Sequence, residues 1–291
     1  MSCSTPPDPQ LVELQKKQAR FAPVELQVDS SKLEPADQQA LAKLVDAAKV
    51  IDELFRNEQV WGGNRALREK LATDTSELGK ARLRYFDLNQ GPWSDLDEHQ
   101  AFLPDVPKRK PLGANFYPAD MTREEFEAWA QKDTGFFSVI GREGMGGKAL
   151  RAIPYSVAYQ EQLTQAAKLL NEAADLTPNA SLKAFLKARA EAFLSNDYYA
   201  SDVAWMKIDA PIEPTIGPYE TYMDELFGYK ASFEAYITLR DDAETAKLKM
   251  FSDHLQEIEN SLPFDAKYRN PKLGALAPIR VVNEVIATGD G

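Results

Sequence analysis

Residues 217–237 read GPYETYMDELFGYKASFEAYI, and they separate two different patterns in this sequence. Before this segment, between residues 156 and 194, apolar residues recur every three or four positions, which is the period of an amphipathic helix. At its far end, residues 233–239 (FEAYITL) alternate as a half-buried strand does. Because helical patterns dominate the rest of the sequence, we expect a mainly α protein with a minor β component, an α+β fold.

Further elements follow from the same two periods. From Pro35 a single apolar stripe predicts a helix that continues to Phe55, since proline suits the first helical turn. Thr122 and Glu125 have the spacing of a capping box and predict that a helix begins there. Other helices are predicted at residues 65–71, 76–86 and 244–262, and on both sides of Pro178, where the first apolar stripe begins at Val157. Strands are predicted at residues 136–140, 233–239 and 278–286, and residues 21–28 are predicted to form a short strand or an extended arm.

These elements suggest three regions. Residues 1–19 are predicted to be a flexible leader, and residues 20–150 a helix-rich region that contains a long irregular loop at residues 90–120. Long ordered loops are often functional. Residues 151–291 are predicted to hold further helices and the main strands. The sequence ends in ATGDG just beyond a strand, so we expect this last region to be incomplete.

Charge and hydropathy narrow the classes of function. The chain has 45 acidic and 34 basic residues, a net charge of −11, and its densest basic run is only Lys108-Arg109-Lys110. Because phosphate contacts need clustered basic residues, nucleic acid is not an expected partner. No run of about 18 apolar residues is present, so no membrane span is predicted.

The only cysteine, Cys3, lies in the opening MSCSTPPDP. A cysteine followed by a polar, proline-rich tether is how a mature bacterial lipoprotein begins after its signal peptide is removed. Cys3 could therefore carry a lipid anchor, which would make the protein a periplasmic or membrane-anchored lipoprotein. The alternative is an incidental cysteine in a disordered terminus, and then the protein is expected in the cytoplasm.

Motifs for hydrolytic chemistry are absent from this sequence. Its two histidines, His99 and His254, do not belong to an H-E-x-x-H or H-E-x-x-x-H arrangement. His254 and Glu257 could share a helix face, but a hydrolytic zinc site needs a third protein ligand, and His99 is predicted to be a surface histidine in an acidic loop. Neither a G-x-S-x-G elbow nor the R-E-x-x-E-E core of Nudix hydrolases is present. No catalytic residue and no metal ligand is therefore predicted in this chain.

Acidic residues and a tyrosine lie close together in the segment at residues 217–237. Glu220, Asp224 and Glu225 place three carboxylates within six residues, around Tyr222. Carboxylates can hold an ammonium group through charge-assisted hydrogen bonds, and a tyrosine hydroxyl can donate to a carbonyl oxygen during amide cleavage. The alternative is that the acids are ordinary surface residues and that Tyr222 is half-buried packing.

The same segment resembles a motif of the dipeptidyl-peptidase III family of zinc metallopeptidases, in its shorter bacterial branch. That motif has the form E-x-Y-x-D-x-x-G-x-R followed by F-E-G-F. Here the corresponding residues are Glu220, Tyr222, Asp224, Phe227-Gly228, Lys230 and Phe233-Glu234-Ala235-Tyr236. Stretches at residues 91–93, 113–122, 153–156, 201–202 and 205–206 also resemble this branch, so that the resemblance covers residues 61–291.

The resemblance implies a peptide-binding role for four residues: Glu220, Tyr222, Asp224 and Lys230. In this family the glutamate and tyrosine of E-x-Y hold the N-terminal end of a peptide in a cleft between two lobes. This sequence departs from the pattern in three ways. It has one extra residue before Phe227-Gly228, Leu226 near a usual proline, and Lys230 in place of an arginine, which loses planar bidentate donation.

By resemblance, the chain is the N-terminal, substrate-binding part of a zinc-dependent peptidase that removes dipeptides from peptide N-termini. The family's zinc-binding helix lies later in the chain than residue 291. Zinc is therefore expected in the full-length protein and not in this chain, which we expect to be inactive alone. Its expected partners are short peptides with a free N-terminus. The alternative is a non-catalytic helical binding protein, or a lipoprotein, that shares the scaffold.

Overall fold

A computed structural model describes residues 8–144, 147–273 and 280–290, without the side chains of Lys249, Met250 and Ser252. In these ranges the α-helices are α1 Pro9–Gln18, α2 Pro35–Leu54, α3 Asn64–Ala72, α4 Glu77–Asn89, α5 Arg123–Ala128, α6 Tyr155–Ala158, α7 Gln160–Leu176, α8 Ala180–Ser195, α9 Tyr199–Trp205 and α10 Asp242–Ser261. The strands are β1 Trp93–Ser94, β2 Gln100–Ala101, β3 Ser138–Arg142, β4 Leu150–Pro154, β5 Ile212–Glu220, β6 Ser232–Arg240 and β7 Val282–Gly289. The predicted α+β class is confirmed.

The core lies between a layer of long helices and one antiparallel sheet. Helix α2 packs against α7, α7 packs against α8, and α2 also contacts β6 and β7. The stripe predicted from Pro35 onward supplies this contact, since Leu44, Ala48 and Ile51 are fully buried. After Leu54 the chain continues for one turn as a π-helix, Phe55–Val60.

The sheet has the order β5-β6-β7, with antiparallel pairing on both sides of β6. Phe233, Ala235 and Ile237 belong to the buried core cluster, so this face of β6 lies against the helices. Because side chains alternate along a strand, Glu234 and Tyr236 lie on the opposite face. We call this second face the open face of the sheet.

Strand β5 was not predicted from the sequence. It contains Pro214 and Pro218, which lack the N–H group that a central strand needs. β5 is at the edge of the sheet, where one side of the strand makes no ladder hydrogen bonds with the described residues. An edge position therefore tolerates these prolines.

The flexible leader predicted at residues 1–19 is wrong for residues 9–18, which form α1. Asp8 caps this helix by accepting a hydrogen bond from the Gln10 backbone at 2.8 Å, and Pro9 takes its first turn. Leu14 is buried in a small cluster with Ala81 and Tyr85 of α4. This burial stabilises a segment that is too short and too polar to be helical by itself. Cys3 lies outside the described residues.

Several finer expectations have mixed outcomes. Residues 22–28 have no regular structure, which fits an arm and not a strand. Thr122 caps α5 as predicted, with its hydroxyl oxygen 3.1 Å from the Glu125 nitrogen. Val157 was predicted to be in the core but is 62% exposed, because it belongs to the separate short helix α6. Among the described residues, no helix is long and apolar enough to span a bilayer.

Candidate functional site

The candidate site lies at one end of the open face. β5 ends at Glu220, which is paired with Ser232 at the start of β6, and β7 ends beside the same part of β6. Glu234, two residues after Ser232, therefore points to the same face as Glu220. Three acidic residues lie at this end of the sheet: Glu220, Glu234 and Asp290. We call them the carboxylate cluster.

Gly289 brings the third member of the cluster into place. Its backbone is left-handed, with φ of 76°, and an added Cβ atom would lie 2.2 Å from the carbonyl oxygen of Phe233. Only glycine fits such a position without displacing the backbone. The turn at Gly289 lets the Asp290 nitrogen donate to the Phe233 carbonyl at 3.1 Å and brings the Asp290 carboxylate against the hydroxyl group of Ser232.

Mutual repulsion and burial make the cluster hard to ionise. Burial, then the charges of Glu220 and Asp290, raise the pKa of Glu234 to about 7. Burial also raises the pKa of Asp290 to about 6, although the Ser232 hydroxyl and Lys110 act in the opposite direction. At neutral pH part of the cluster therefore still carries protons, which is unusual for carboxylates.

Glu220 and Tyr222 both lie at this end of the sheet and are exposed. The Tyr222 side chain is 59% exposed, and its pKa is raised to about 12 by burial of the hydroxyl and by the acids around it. Its hydroxyl group thus remains protonated at neutral pH and can donate a hydrogen bond. Among the described residues, both side chains are open to solvent, so a ligand can reach them.

Asp224 has a different environment from the one that the sequence predicts. It is fully buried, and its carboxylate accepts hydrogen bonds from four successive backbone N–H groups, those of Leu226, Phe227, Gly228 and Tyr229. Such a set of hydrogen bonds holds the turn between β5 and β6 in shape. The prediction that Asp224 contacts a substrate directly is therefore corrected, since it supports the turn.

Lys230 is also fully buried, and this corrects its predicted role. Its ammonium group donates to the Gly135 carbonyl at 2.8 Å, to the Ser138 hydroxyl oxygen at 2.8 Å and to the Asp133 carbonyl at 3.2 Å. Burial lowers the pKa of Lys230 to about 8, against the attraction of Asp133 and Asp224. Lys230 joins the turn to the segment before β3 and does not face the carboxylate cluster.

Two residues of the cluster, Glu234 and Asp290, were not predicted as site residues. The signal for Glu234 was available, because it is the glutamate of the FEAY run and its alternation places it opposite the core face. Asp290 gave no such signal. It follows the last strand, and only the turn at Gly289 brings it back to Ser232.

The long irregular loop reaches this site. Lys110 is nearly buried and donates to the Glu225 carboxylate at 2.9 Å. His99, which was predicted to be an ordinary surface residue, lies between two acids, with Nδ1 2.8 Å from Asp95 and Nε2 3.5 Å from Glu225. Loop residues therefore hold the segment that follows Tyr222.

A cavity of about 300 Å³ adjoins the cluster on the side of the loop. Asp290 and Met223 form part of its wall, and Lys110 and Asp95 add charge. Most of the remaining lining is apolar or aromatic and comes from the arm, the π-helical turn, the end of α4 and the loop: Phe21, Phe55, Val60, Leu88, Trp93 and Leu96.

The donor groups present do not fit a zinc site. In the described ranges no three His, Cys, Asp or Glu side chains are grouped so that they could hold a metal ion. His254 lies 3.1 Å from Glu257 on an exposed face of α10, a pair without a third ligand. Members of the carboxylate cluster are partly protonated, which is unfavourable for binding a hard cation.

The chain resembles known proteins in both sequence and structure. The model of peptidase family M49 matches residues 148–275, which include β5, β6 and the turn between them. The chain is also similar to the structure of dipeptidyl-peptidase III from Corallococcus sp. strain EGB, with 56% identity, a TM-score of 0.87, and coverage of 97% of this chain and 53% of that one. For DPP III from Caldithrix abyssi the identity is 48% and the TM-score 0.88, over 95% of this chain and 53% of that one.

A curated relative, Nudix hydrolase 3 of Arabidopsis thaliana, is 41% identical over 342 residues, covering 99% of this chain and 44% of that protein. The Nudix core R-E-x-x-E-E does not occur in this sequence. The chain spans about half the length of these relatives. The sequence motifs, the fold and these matches together support the dipeptidyl-peptidase III family, peptidase family M49, for this chain.

Proposed function

We propose that this chain binds the N-terminal end of short peptides for a zinc-dependent peptidase that removes dipeptides. The observation that carries this proposal is the convergence of Glu220, Glu234 and Asp290 at the open end of the sheet. An enzyme that counts residues from a free N-terminus must recognise an ammonium group. A group of carboxylates with little compensating positive charge attracts such a cation strongly.

In this arrangement Glu220 accepts a hydrogen bond from the peptide ammonium group. Glu220 is exposed, and an exposed ion pair contributes only ~0–1 kcal/mol by itself. The proposal therefore requires that a bound peptide, or a further part of the protein, excludes water from this end of the sheet. The pair then gains strength because its charges are less screened.

Tyr222 is the second contact. Its protonated hydroxyl group can donate a hydrogen bond to a peptide carbonyl oxygen, and it stabilises that oxygen further where charge develops during cleavage. Its exposure is what such a role needs, because the ring is free to lie along a peptide backbone.

Zinc is the family's metal, and the side chains in the described part of this chain do not group into a site for it. We propose that its ligands come from another part of the protein. The chain described here then supplies substrate binding and positioning.

The test compares two peptides that differ only in charge at the N-terminus. In the intact protein, Glu220→Gln should weaken binding of a short peptide with a free amino group, and leave its N-acetylated counterpart almost unchanged. Loss of a charge-assisted hydrogen bond in an enclosed site should cost roughly 1.5–3 kcal/mol. Glu284→Gln, which removes an acid from β7 at the far end of the same sheet, is the matched control.

Equal losses for both peptides would indicate a folding defect, and no loss for either would show that Glu220 is an ordinary surface acid. The alternative predicted from the sequence, a non-catalytic binding protein, is not favoured by the family comparison. Turnover of a dipeptidyl-naphthylamide by the intact protein, and its loss with a chelator, tests the peptidase assignment separately.

A further inference from the structure

Gln59 is a fully buried polar residue that lies outside the candidate site. It belongs to the π-helical turn Phe55–Val60, which follows α2. Turns with this i→i+5 hydrogen-bonding pattern are rare, and they occur frequently at functional sites. A buried amide group needs partners for both its oxygen and its nitrogen, so the partners of Gln59 indicate what it does in the fold.

The Gln59 amide binds the backbone at the start of β6. Its Oε1 accepts a hydrogen bond from the Phe233 nitrogen at 2.7 Å, and its Nε2 donates to the Ala231 carbonyl at 3.3 Å. A peptide group of a neighbouring antiparallel strand accepts and donates in the same way. Pairing of β7 with β6 ends at Gly289, and the next residue, Asp290, donates to the Phe233 carbonyl. The amide therefore continues the ladder on this side of β6 where β7 ends.

Ser232 lies between the two residues that Gln59 holds, and it connects them to the carboxylate cluster. Its hydroxyl group is 2.9 Å from the Glu220 carbonyl oxygen and is hydrogen-bonded to the Asp290 carboxylate. Ser232 is fully buried, and the same amide fixes the backbone on both sides of it. A shift of Ser232 would therefore move two of the acids of the cluster.

An irregularity in β5 makes the position of Ser232 decisive for Glu220. The register of β5 shifts between Pro218, which is paired with Phe233 of the core face, and Glu220. As a result Glu220, and not Tyr219, is paired with Ser232. Without this bulge, strict alternation would turn Tyr219 to the open face and Glu220 toward the core. Bulges of this kind re-aim side chains beside functional sites, and here the bulge directs the Glu220 carboxylate to the open face.

Two other contacts limit how far this segment can move without Gln59. The Tyr155 hydroxyl group donates to the same backbone carbonyl as Gln59, at 2.8 Å. The Tyr219 ring packs against the guanidinium group of Arg189, whose Cζ atom is 5.6 Å from the ring centre. The Phe233 nitrogen, in contrast, is held by Gln59. Loss of the Gln59 amide should therefore loosen the start of β6 and leave the fold in place.

We propose that Gln59 is a positioning residue for peptide binding. By holding the start of β6, it keeps Ser232 at the register that the bulge requires and so directs the Glu220 carboxylate to the open face. This inference rests on the proposed function. Gln59 itself is buried and does not contact the peptide, so the preference for a free N-terminus depends on an amide group from a distant part of the chain.

The experiment measures binding of two peptides to the intact protein by calorimetric titration. The first is tetra-alanine amide, methylated at the nitrogen of its second peptide bond so that it resists cleavage, and the second is its N-acetylated form. Gln59→Met keeps the approximate size of the side chain and removes both hydrogen bonds. We expect Gln59→Met to weaken binding of the free-amine peptide about 10-fold and to leave binding of the acetylated peptide almost unchanged.

A double-mutant cycle tests whether Gln59 acts through Glu220. If it does, Gln59→Met should cause little further loss of affinity for the free-amine peptide in a protein that already carries Glu220→Gln, because coupled residues are not additive. The same 10-fold loss, to within about 2-fold, in the double variant would show an effect that is independent of Glu220, and it would overturn the inference.

Thr177→Val is the matched control. The Thr177 hydroxyl group donates to the Asp37 carboxylate at 2.6 Å, so this variant also removes a buried hydrogen bond, but at the opposite end of α2. Urea unfolding should show that both Thr177→Val and Gln59→Met are less stable than the unmodified protein. Only Gln59→Met should reduce the preference for the free amine. An equal reduction in Thr177→Val would show that general loosening of the fold is responsible.

The outcomes distinguish this inference from the proposed function. A preference for the free amine that is unchanged in Gln59→Met would overturn the inference and leave the proposed function intact. No preference in the unmodified protein would overturn both. Gln59→Asn replaces Gln59→Met if a thermal melt shows that the methionine variant is unfolded. Its shorter amide cannot reach both backbone groups of β6, so the preference should again fall, and an undiminished preference would contradict the role given to Gln59.

Discussion

The hydroxyl group of Tyr117 donates a hydrogen bond to the buried carboxylate of Asp224, at 3.1 Å. This bond joins the long irregular loop to the turn between β5 and β6. Burial and the charge of Asp224 raise the pKa of Tyr117 well above its ordinary value, so the hydroxyl group stays a donor. The loop and the candidate site are thus parts of one structural unit.

Asp224→Ala should destabilise the protein strongly. The change removes the acceptor of four backbone N–H groups and of Tyr117, and loss of a buried charged acceptor costs ~3–5 kcal/mol. Tyr117→Phe removes one donor only and should cost ~0.5–1.5 kcal/mol. Urea unfolding of both variants provides the measurement. A stable Asp224→Ala protein with weakened peptide binding would restore the direct role that the sequence suggested.

Lys230→Met should destabilise the protein by ~2–5 kcal/mol, because it leaves two carbonyl oxygens and the Ser138 hydroxyl oxygen without their donor. The difference in unfolding free energy between Lys230→Met and the unmodified protein should widen at high pH. The pKa of Lys230 is about 8 in the folded protein and 10.5 in the unfolded chain. Between these values the unfolded chain binds the extra proton, so the stability of the unmodified protein rises with pH there.

Unfolding free energies measured from about pH 7 to 11 check this prediction. A parallel pH dependence in both proteins would mean that Lys230 is not the group that titrates. Lys230→Arg serves as the control variant, because it keeps the positive charge that Lys230→Met removes.

Glu234→Gln should stabilise the protein against unfolding in the absence of peptide, and only above about pH 5. The pKa of Glu234 is 4.5 in the reference state and about 7 in the folded state, so the folded chain binds more protons between these values. The stability of the unmodified protein therefore falls as pH rises through this range, by up to about 3 kcal/mol. Equal stability of the two proteins at about pH 8 would show that the buried carboxylate has an unrecognised partner.

Tyr222→Phe should leave the fold intact and impair function. The side chain is 59% exposed, so loss of its hydroxyl group should change the unfolding free energy by less than about 0.5 kcal/mol. In the intact peptidase, loss of one donor to the developing oxyanion should lower kcat about 10²- to 10³-fold. A change in KM with unchanged kcat would instead indicate a contact made equally in the bound substrate.

Strand β7 should exchange its backbone amides unevenly. It pairs with β6 from Glu234 to Arg240 and has no other neighbour among the described strands. Amides that point toward β6 should be protected, and those on the other side should exchange rapidly or promote self-association. Hydrogen exchange measured residue by residue tests this. Uniformly slow exchange in a monomer would show that the free edge is covered.

Much of the fold follows from local sequence. The stripe after Pro35 and the alternation at residues 233–239 correspond to α2 and β6, because helix and strand periods are properties of neighbouring residues. Glu220 and Tyr222 could be predicted as site residues from the sequence, because they are neighbours in one motif. Strand β5 could not be predicted from the sequence, because its prolines argue against a strand unless its edge position is known.

What the sequence by itself determined is therefore the class of fold, most helices and the two exposed residues of the candidate site. Tertiary structure alone decided which acids are buried. Asp224 became a turn support because four backbone N–H groups surround it, and Asp290 joined the cluster because Gly289 turns the chain back to Ser232. Burial, and then the charges of Glu220 and Asp290, raised the pKa of Glu234. Burial and charge proximity depend on which distant segments pack together, and no local pattern encodes that distance.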